Sequence, residues 1–285
     1  MGDSRAIGVF DSGLGGLTVA KRIMEVCPGE SIVYFGDTGR VPYGTKGVDT
    51  IKKYAAEDIR FLESLDVKMI VAACGTVSAV ASDAGKGLPI PFVEVISHSV
   101  RDAVAASKTG KIGVIATPAT IKSHTHKTLI EKLLPDAEVF ETAAPLLVSL
   151  AEEGWYKKDN AIARLTVEAY LSDMRDKNID TLILGCTHFP VFGGLIGEYL
   201  PGVTLIDMGL SAARHIREVL KGTDRENTSK NVSHKFFVSD KPVTFEKTVK
   251  IFLGSDFCDI KTDLVDMEKY EKGHDKNQGN SRDGR

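Results

Sequence analysis

This 285-residue sequence predicts an α/β fold with two pseudo-symmetric lobes, each a mainly parallel sheet flanked by helices, and an active site between them. Apolar runs of strand length alternate with longer amphipathic segments along the chain, which is typical of parallel strands joined by helical crossovers. Two of these runs, 67–74 and 179–186, lie in different halves of the chain, and both stop at a cysteine followed by small or hydroxyl residues. Open α/β sheets place their chemistry at the carboxyl ends of strands, so the matched endings predict two similar halves that each supply one thiol to a shared cleft.

Short apolar runs of strand composition indicate nine strands, and the amphipathic segments between them indicate nine helices. The predicted strands, in chain order, are 6–10, 31–35, 68–73, 92–96, 111–116, 138–141, 181–184, 204–206 and 235–238. The predicted helices are about 16–26, 48–64, 77–85, 97–107, 119–134, 145–153, 159–177, 211–221 and 245–252. This regular order favours doubly wound, mainly parallel sheets.

The two cysteine strands divide the chain into lobes. We expect residues 1–97 and 209–265 to form the first lobe and residues 98–208 the second, with crossings near 96–97 and 207–209. Residues 266–285 are polar and dense in charge, and this composition predicts a disordered tail.

Composition excludes several classes of function. Hydrophobic residues make up 42% and charged residues 26%, which is the balance of a globular protein rather than of a disordered or fibrous one. A net charge of −3 gives no general basic field, so nucleic acid is not an expected ligand. No apolar run reaches the roughly 18 residues of a membrane span, and the sequence has no signal-peptide pattern at its start. Four cysteines without close CxxC spacing indicate reduced thiols, so we expect a cytoplasmic protein that has no membrane partner.

A pair of opposed thiols suits one task in particular, which is to take a proton from one face of a carbon and return a proton to the other face. Cys74 and Cys186 both stand where a strand gives way to a helix, and a helix N-terminus stabilises a thiolate. The pattern therefore indicates racemisation by two bases. The alternative is that each cysteine is a small buried hydrophobic residue.

Further polar residues accompany the thiols. His188 lies two residues beyond Cys186, where it can relay a proton or donate to a substrate carboxylate, unless it is only structural. Asp11 and Ser12 begin a glycine-rich turn whose spacing does not fit the phosphate-binding motifs. A carboxylate there can meet a substrate ammonium group or assist a thiol, with Ser12 hydrogen-bonding nearby; the alternative is a helix-capping turn. A zinc site built from Cys74, Cys186 and His188 is a further alternative, although its spacing matches no zinc motif.

The loop after the second strand carries another acid, Asp37, and then the rigid turn Pro42-Tyr43-Gly44, whose backbone N–H groups can hold a carboxylate. Taken alone, such a loop is more often a surface turn. Glu152, near the end of a predicted helix, reads most simply as a solvated residue.

Four motifs together resemble the glutamate racemases of the cofactor-independent aspartate/glutamate racemase family. They are Asp11-Ser12-Gly13-x-Gly15-Gly16-Leu17-Thr18-Val19, Gly36-Asp37-Thr38-x-Arg40-x-Pro42-Tyr43-Gly44, Ala73-Cys74-x-Thr76 and Leu184-Gly185-Cys186-Thr187-His188, and they occur in family order within residues 7–254.

The resemblance implies two α/β lobes with the substrate between them and neither pyridoxal phosphate nor a metal. It implies that Cys74 and Cys186 are the catalytic acid/bases, that Asp11 assists Cys74, and that His188 assists Cys186. The acids that it places near the site are Asp37 and Glu152, and the residues that it places around the amino acid's polar groups are Ser12, Pro42, Tyr43, Gly44, Gly75, Thr76 and Thr187. It also implies a homodimer that makes D-glutamate for peptidoglycan.

One departure from the family pattern bears on the substrate: the family usually reads Cys-Asn-Thr where this chain reads Cys74-Gly75-Thr76. Glycine offers no amide to the substrate, and losing a charge-assisted hydrogen bond costs roughly 1.5–3 kcal/mol. The departure favours, as an alternative, a related racemase that acts on a different amino acid. A non-catalytic binding or regulatory relative is the alternative from another class. A redox or thiol-transfer enzyme is a third, but it needs an exposed resolving cysteine, and neither Cys27 nor Cys258 has such a context.

Overall fold

The computed structural model describes residues 2–229, 231–243, 245–254 and 260–271, which form two parallel sheets flanked by helices. The strands are β1 (Ile7–Asp11), β2 (Ile32–Gly36), β3 (Met69–Ala72), β4 (Phe92–Glu94), β5 (Lys111–Ala116), β6 (Glu138–Ala143), β7 (Thr181–Gly185), β8 (Thr204–Asp207), β9 (His234–Val238) and β10 (Thr262–Leu264). The helices are α1 (Leu17–Val26), α2 (Val48–Glu63), α3 (Gly75–Val80), α4 (Val95–Ala106), α5 (Pro118–Ser123), α6 (Thr125–Leu133), α7 (Pro145–Glu152), α8 (Ala161–Asp176), α9 (Gly193–Tyr199), α10 (Met208–Gly222) and α11 (Phe245–Phe252). Short 3-10 helices cover Thr38–Arg40, Tyr43–Thr45, Phe189–Phe192 and Met267–Tyr270.

The first sheet has six strands in the order β10-β9-β2-β1-β3-β4, all parallel to their neighbours. Every residue of its central strands β1, β2 and β3 is buried, because helices cover both faces of the sheet. β1 lies beside β3, with Phe10 opposite Ala72, so the residues that follow these two strands emerge together at one edge. Asp11 and Cys74 stand at that edge.

The second sheet has four parallel strands in the order β6-β5-β7-β8. Its central strand β7 is buried throughout, and in the register with β5 its last residue, Gly185, lies opposite Ala116. The carboxyl ends of β5 and β7 therefore bring Thr117 and Cys186 to the same edge.

Two helices carry the chain between the sheets. α4 runs from β4 of the first sheet towards β5 of the second, and α10 leads back from β8 towards β9. They pack against each other, with the rings of His98 and His215 stacked at 3.8 Å. The hydroxyl of Thr18 also donates across the cleft to the carbonyl of Thr187, at 2.8 Å. The lobe boundaries at 97/98 and 208/209 stay a prediction.

All nine predicted strands are present. The structure differs from the prediction in elements whose sequence patterns are weak. The predicted helix 119–134 is two helices, because His124 adopts a left-handed conformation (φ 51°) and ends α5. The sequence did not predict the short, partly exposed β10, nor α9, which opens with two glycines. Residues 266–271 were placed in a disordered tail, but Met267–Tyr270 forms a 3-10 helix with Met267 buried; the rest of that tail lies outside the described residues.

Among the described residues, no helix is both long and apolar enough to span a bilayer.

Candidate active site

A cavity of about 260 Å³ lies between the carboxyl ends of the two sheets. This is the scale of a small ligand, near the lower end for ligand pockets. Both sheets contribute to its wall, so a ligand there touches both lobes. Its lining residues are Ser12, Gly13, Val41, Pro42, Tyr43, Gly44, Thr45, Cys74, Gly75, Thr76, Thr117, Pro118, Pro145, Val148, Ser149, Glu152, Gly185, Cys186, Thr187 and His188.

Cys74 reaches the cavity from the first lobe. It follows β3 and occupies the N-cap position of α3, and its Sγ lies 3.6 Å from Ser12 Oγ. Burial raises the pKa of Cys74 to about 12, and the negative charge of Asp11 adds to that rise, while hydrogen bonding with the Val77 N–H and with the Ser12 hydroxyl acts in the opposite direction. These surroundings favour the neutral thiol form of Cys74.

Asp11 lies beside Cys74 and does not itself line the cavity. Its side chain is fully buried, and its Oδ2 accepts a hydrogen bond from the Gly13 N–H at 3.0 Å. Within the described ranges its Oδ1 has no hydrogen-bond partner. Burial raises the pKa of Asp11, while His188 and the backbone N–H groups of the turn act in the opposite direction. The carboxyl group therefore lies buried within its own turn, where backbone N–H groups contact it.

Cys186 reaches the cavity from the second lobe, directly after β7, and a chain of polar contacts leads away from it. His188 Nδ1 lies 3.7 Å from Cys186 Sγ and 3.3 Å from Thr187 Oγ1, and His188 Nε2 lies 3.1 Å from Glu152 Oε1. Burial acts to lower the pKa of His188, but its contacts with Cys186 and Glu152 outweigh burial and raise that pKa to about 10. His188 is therefore a cation at neutral pH, next to the second thiol.

Residues of the first lobe hold His188 in place. The ring of Phe252, from α11, packs edge-on against the His188 ring, with centroids 5.2 Å apart. Gly15 lies so close that a Cβ built on it would be 2.3 Å from His188 Cε1 and 2.4 Å from Thr187 Oγ1. Only glycine permits this approach of the Asp11 turn to the second lobe. The sequence did not single out Phe252 or this contact.

Asp37 belongs to a buried ionic cluster rather than to the cavity wall. Arg40 contacts three buried carboxylates: Asp37 at 2.6 Å, Asp58 at 3.1 Å, and Glu57. The hydroxyl of Tyr43 donates to Asp37 and lies 3.2 Å from Asp58, so it points away from the cavity. Burial raises the pKa of Asp58 well above its usual range, with the charge of Asp37 adding to the rise.

This cluster fixes the loop whose residues Val41, Pro42, Tyr43, Gly44 and Thr45 line the cavity. Pro42 and Gly44 line the cavity. Tyr43 lines it too, but its hydroxyl points towards Asp37 and Asp58. Asp37 acts on this loop and is not part of the wall.

Hydroxyl groups face one another across the cleft. Thr76 Oγ1 lies 3.0 Å from Thr117 Oγ1, which also lies 3.0 Å from Thr120 Oγ1. Thr117 directly follows β5 and caps α5. Thr117 was not among the predicted site residues, although a threonine between a buried strand and a proline carries the same strand-end signal as the two cysteines. Ser149, on α7, is a second lining hydroxyl that was not predicted.

Every predicted site residue except Asp11 and Asp37 lines the cavity, and these two lie behind it. In the described part of the chain, no group of three or more histidine, cysteine or acidic side chains is arranged to hold a metal ion, so no ligand set supports the zinc alternative. Cys27 is buried away from this cavity. Cys258 lies outside the described residues.

The fold and the site define a class of protein: two parallel α/β lobes that each place one cysteine, from a strand end, in the wall of a single small cavity. A sequence model of the Asp/Glu/Hydantoin racemase family matches residues 7–216. The chain belongs to this family.

Several glutamate racemases are similar to the chain over nearly its whole length. The one from Geobacter metallireducens is 44% identical over 268 residues, covering 93% of this chain and 98% of that protein. The one from Neisseria meningitidis serogroup B is 44% identical over 257 residues, covering 89% and 94%.

Solved structures of glutamate racemases are also similar to this chain. The glutamate racemase from Francisella tularensis in complex with D-glutamate superposes with a TM-score of 0.87 at 40% identity, covering 94% of this chain and all of that one. A glutamate racemase isoform from Bacillus anthracis gives 0.86 at 35% identity, covering 92% and 97%.

Proposed function

We propose that the chain is a glutamate racemase that interconverts L- and D-glutamate by proton transfer between Cα and two cysteines. One observation carries the proposal: each sheet delivers a single buried thiol, Cys74 or Cys186, to the wall of the same amino-acid-sized cavity. The similarity to glutamate racemases, one of them solved with D-glutamate, supports glutamate as the substrate.

In the proposed reaction one sulfur, as thiolate, removes the α-proton, so that the C–H bond breaks and an S–H bond forms. The electron pair stays on Cα in a carbanion-like transition state, and the thiol on the opposite face donates its proton to Cα. The enantiomer is formed and the two sulfurs have exchanged protonation states. The reverse reaction uses the same two groups with their roles exchanged.

The surroundings of the two thiols suit different halves of this cycle. Burial and Asp11 raise the pKa of Cys74, which favours the neutral thiol and fits this sulfur to donate a proton. Cys186 lies 3.7 Å from His188 Nδ1, so the sulfur and the ring nitrogen are close enough to interact during proton transfer. Asp11 and His188 are proposed to assist these sulfurs, with Glu152 keeping His188 charged.

Hydroxyls and backbone groups around the cavity are proposed to hold the amino acid's charged ends. Ser12, Thr76 and Thr187 supply side-chain hydroxyls, and the turn formed by Pro42, Tyr43 and Gly44 supplies main-chain donors and a shaped wall. The proposal places the enzyme in the cytoplasm as a homodimer that makes D-glutamate for peptidoglycan. The family resemblance supports these last points.

Incubation with L-glutamate in D2O tests the proposal, with proton NMR following the α-proton and circular dichroism following optical activity. Loss of the α-proton signal together with decay of the dichroism is expected with glutamate. The same loss with aspartate or another amino acid, and not with glutamate, would support the paralogous racemase. No exchange with any amino acid would leave a non-catalytic relative as the better interpretation.

A further inference from the structure

The two thiol-bearing segments touch through glycine. Gly75 follows Cys74 and begins α3, and Gly185 precedes Cys186 at the end of β7. A Cβ built on Gly75 would be 2.7 Å from the carbonyl oxygen of Gly185 and 3.2 Å from Met208 Cε. The nearer atom is backbone, so no side-chain rotation can relieve the contact.

The segment that carries Cys186 has little freedom to retreat. Gly185 lies beside Ala116 in the register of β5 and β7, and a Cβ on Gly185 would be 2.7 Å from the carbonyl oxygen of Ile115. The Gly185 backbone is thus held between β5 on one side and Gly75 on the other. Any side chain at position 75 must therefore move the first turn of α3, and Cys74 with it.

We infer that Gly75 is a positioning residue which sets the separation of the two thiols by letting the backbones beside Cys74 and Cys186 meet directly. The inference rests on the proposed two-cysteine reaction and adds the feature that fixes its geometry.

The size of the effect follows from the contact distance. A Cβ on Gly75 would lie 2.7 Å from the Gly185 carbonyl oxygen, whereas carbon–oxygen contacts in proteins lie at about 3.3 Å or more. A side chain at position 75 therefore requires the two segments to move apart by roughly 0.6 Å. A misplacement of about 1 Å can cost on the order of 100-fold in rate. We expect Gly75→Ala and Gly75→Asn each to lower kcat by about tenfold or more.

The test separates positioning from simple damage to the fold. L-Glutamate is incubated in D2O with the full chain, and two products are measured by NMR and chiral chromatography: D-glutamate formed, and deuterium in the L-glutamate recovered. When the thiols are farther apart, the second thiol donates more slowly. The first thiol then has time to exchange its proton with solvent and return deuterium to the same face.

We therefore expect the ratio of deuterated L-glutamate to D-glutamate to rise several-fold in Gly75→Ala and Gly75→Asn. The matched control is Gly197→Ala on α9, where a Cβ meets no atom within 4 Å, and its ratio and kcat should equal those of the wild type. A variant that merely unfolds in part loses both products together and keeps the wild-type ratio.

A wild-type ratio in both position-75 variants would overturn the inference, and so would a Gly75→Asn enzyme as fast as the wild type. Failure of the proposed function looks different, because the wild type itself would then yield neither D-glutamate nor deuterated L-glutamate.

Discussion

Replacing Arg40 by methionine tests whether one guanidinium holds together the buried acids behind the cavity loop. Only 18% of the Arg40 side chain is exposed, and the carboxylates of Asp37, Glu57 and Asp58 that it contacts are fully buried. In the described residues, the other cation within 4 Å of these acids is Lys53, at 3.7 Å from Glu57, and it is 55% exposed. Arg40→Met therefore leaves buried negative charge with almost no compensation.

Removing one partner from a buried ion pair costs about 3–5 kcal/mol of unfolding free energy. For a chain of this size, each kcal/mol corresponds to roughly 2–3 °C, so Tm should fall by about 6–15 °C at pH 8. Arg40 acts to lower the pKa of Asp58, so without it burial and the charge of Asp37 raise that pKa further in the folded protein. The folded variant then binds more protons than the unfolded chain, so its stability falls as pH rises, and the loss should be smaller at pH 5 than at pH 8.

Calorimetric unfolding of Arg40→Met at pH 5, 6.5 and 8 measures both effects. The control is Arg164→Met, because the Arg164 side chain is 60% exposed and its ion pair with Glu198 is long, at 4.0 Å. The free energy of unfolding of this variant should stay within about 0.5 kcal/mol of the wild-type value. A Tm for Arg40→Met within about 1 °C of the wild type would refute the reasoning. So would a larger loss at pH 5 than at pH 8.

Two further substitutions probe the cavity wall. Glu152→Gln removes the carboxylate 3.1 Å from His188 Nε2, so the pKa of His188 should fall from about 10 by roughly one unit. NMR titration of labelled histidine checks the shift, the high-pH limb of kcat should move down with it, and an unmoved His188 signal would contradict the account. Thr117→Val removes the hydroxyl contact across the cleft while keeping the side-chain shape, and steady-state kinetics should find KM raised about fivefold, the equivalent of roughly 1 kcal/mol. An unchanged KM would mean that this hydroxyl does not support the substrate.

Much of the fold was readable in the sequence because parallel strands buried on both faces are nearly continuous apolar runs. The residues directly after such strands can be identified in the same way, so the sequence predicted Cys74, Cys186 and Asp11 as site residues. His188 followed from its spacing to Cys186.

Other features depend on contacts between distant segments and leave little trace in the sequence. The hydroxyl of Tyr43 points into the Arg40 cluster because Asp58 on α2, 15 residues further along the chain, lies beside the loop. Glu152 was predicted to be a solvated helix end, and its side chain is indeed 51% exposed, but it also lies 3.1 Å from His188 Nε2. The role proposed for Gly75 depends on its contact with Gly185, which is 110 residues away in the sequence.

The central claim is that both thiols transfer protons at one Cα, and racemisation rates of cysteine variants test it most directly. Cys74→Ser and Cys186→Ser are compared with Cys27→Ser, in which the altered cysteine lies away from the cavity. With L- and D-glutamate, we expect each cleft variant to lose about 1000-fold or more in racemisation, because a neutral hydroxyl is a far weaker base than a thiolate, while Cys27→Ser keeps the wild-type rate. Near wild-type racemisation by either cleft variant would contradict the two-cysteine account.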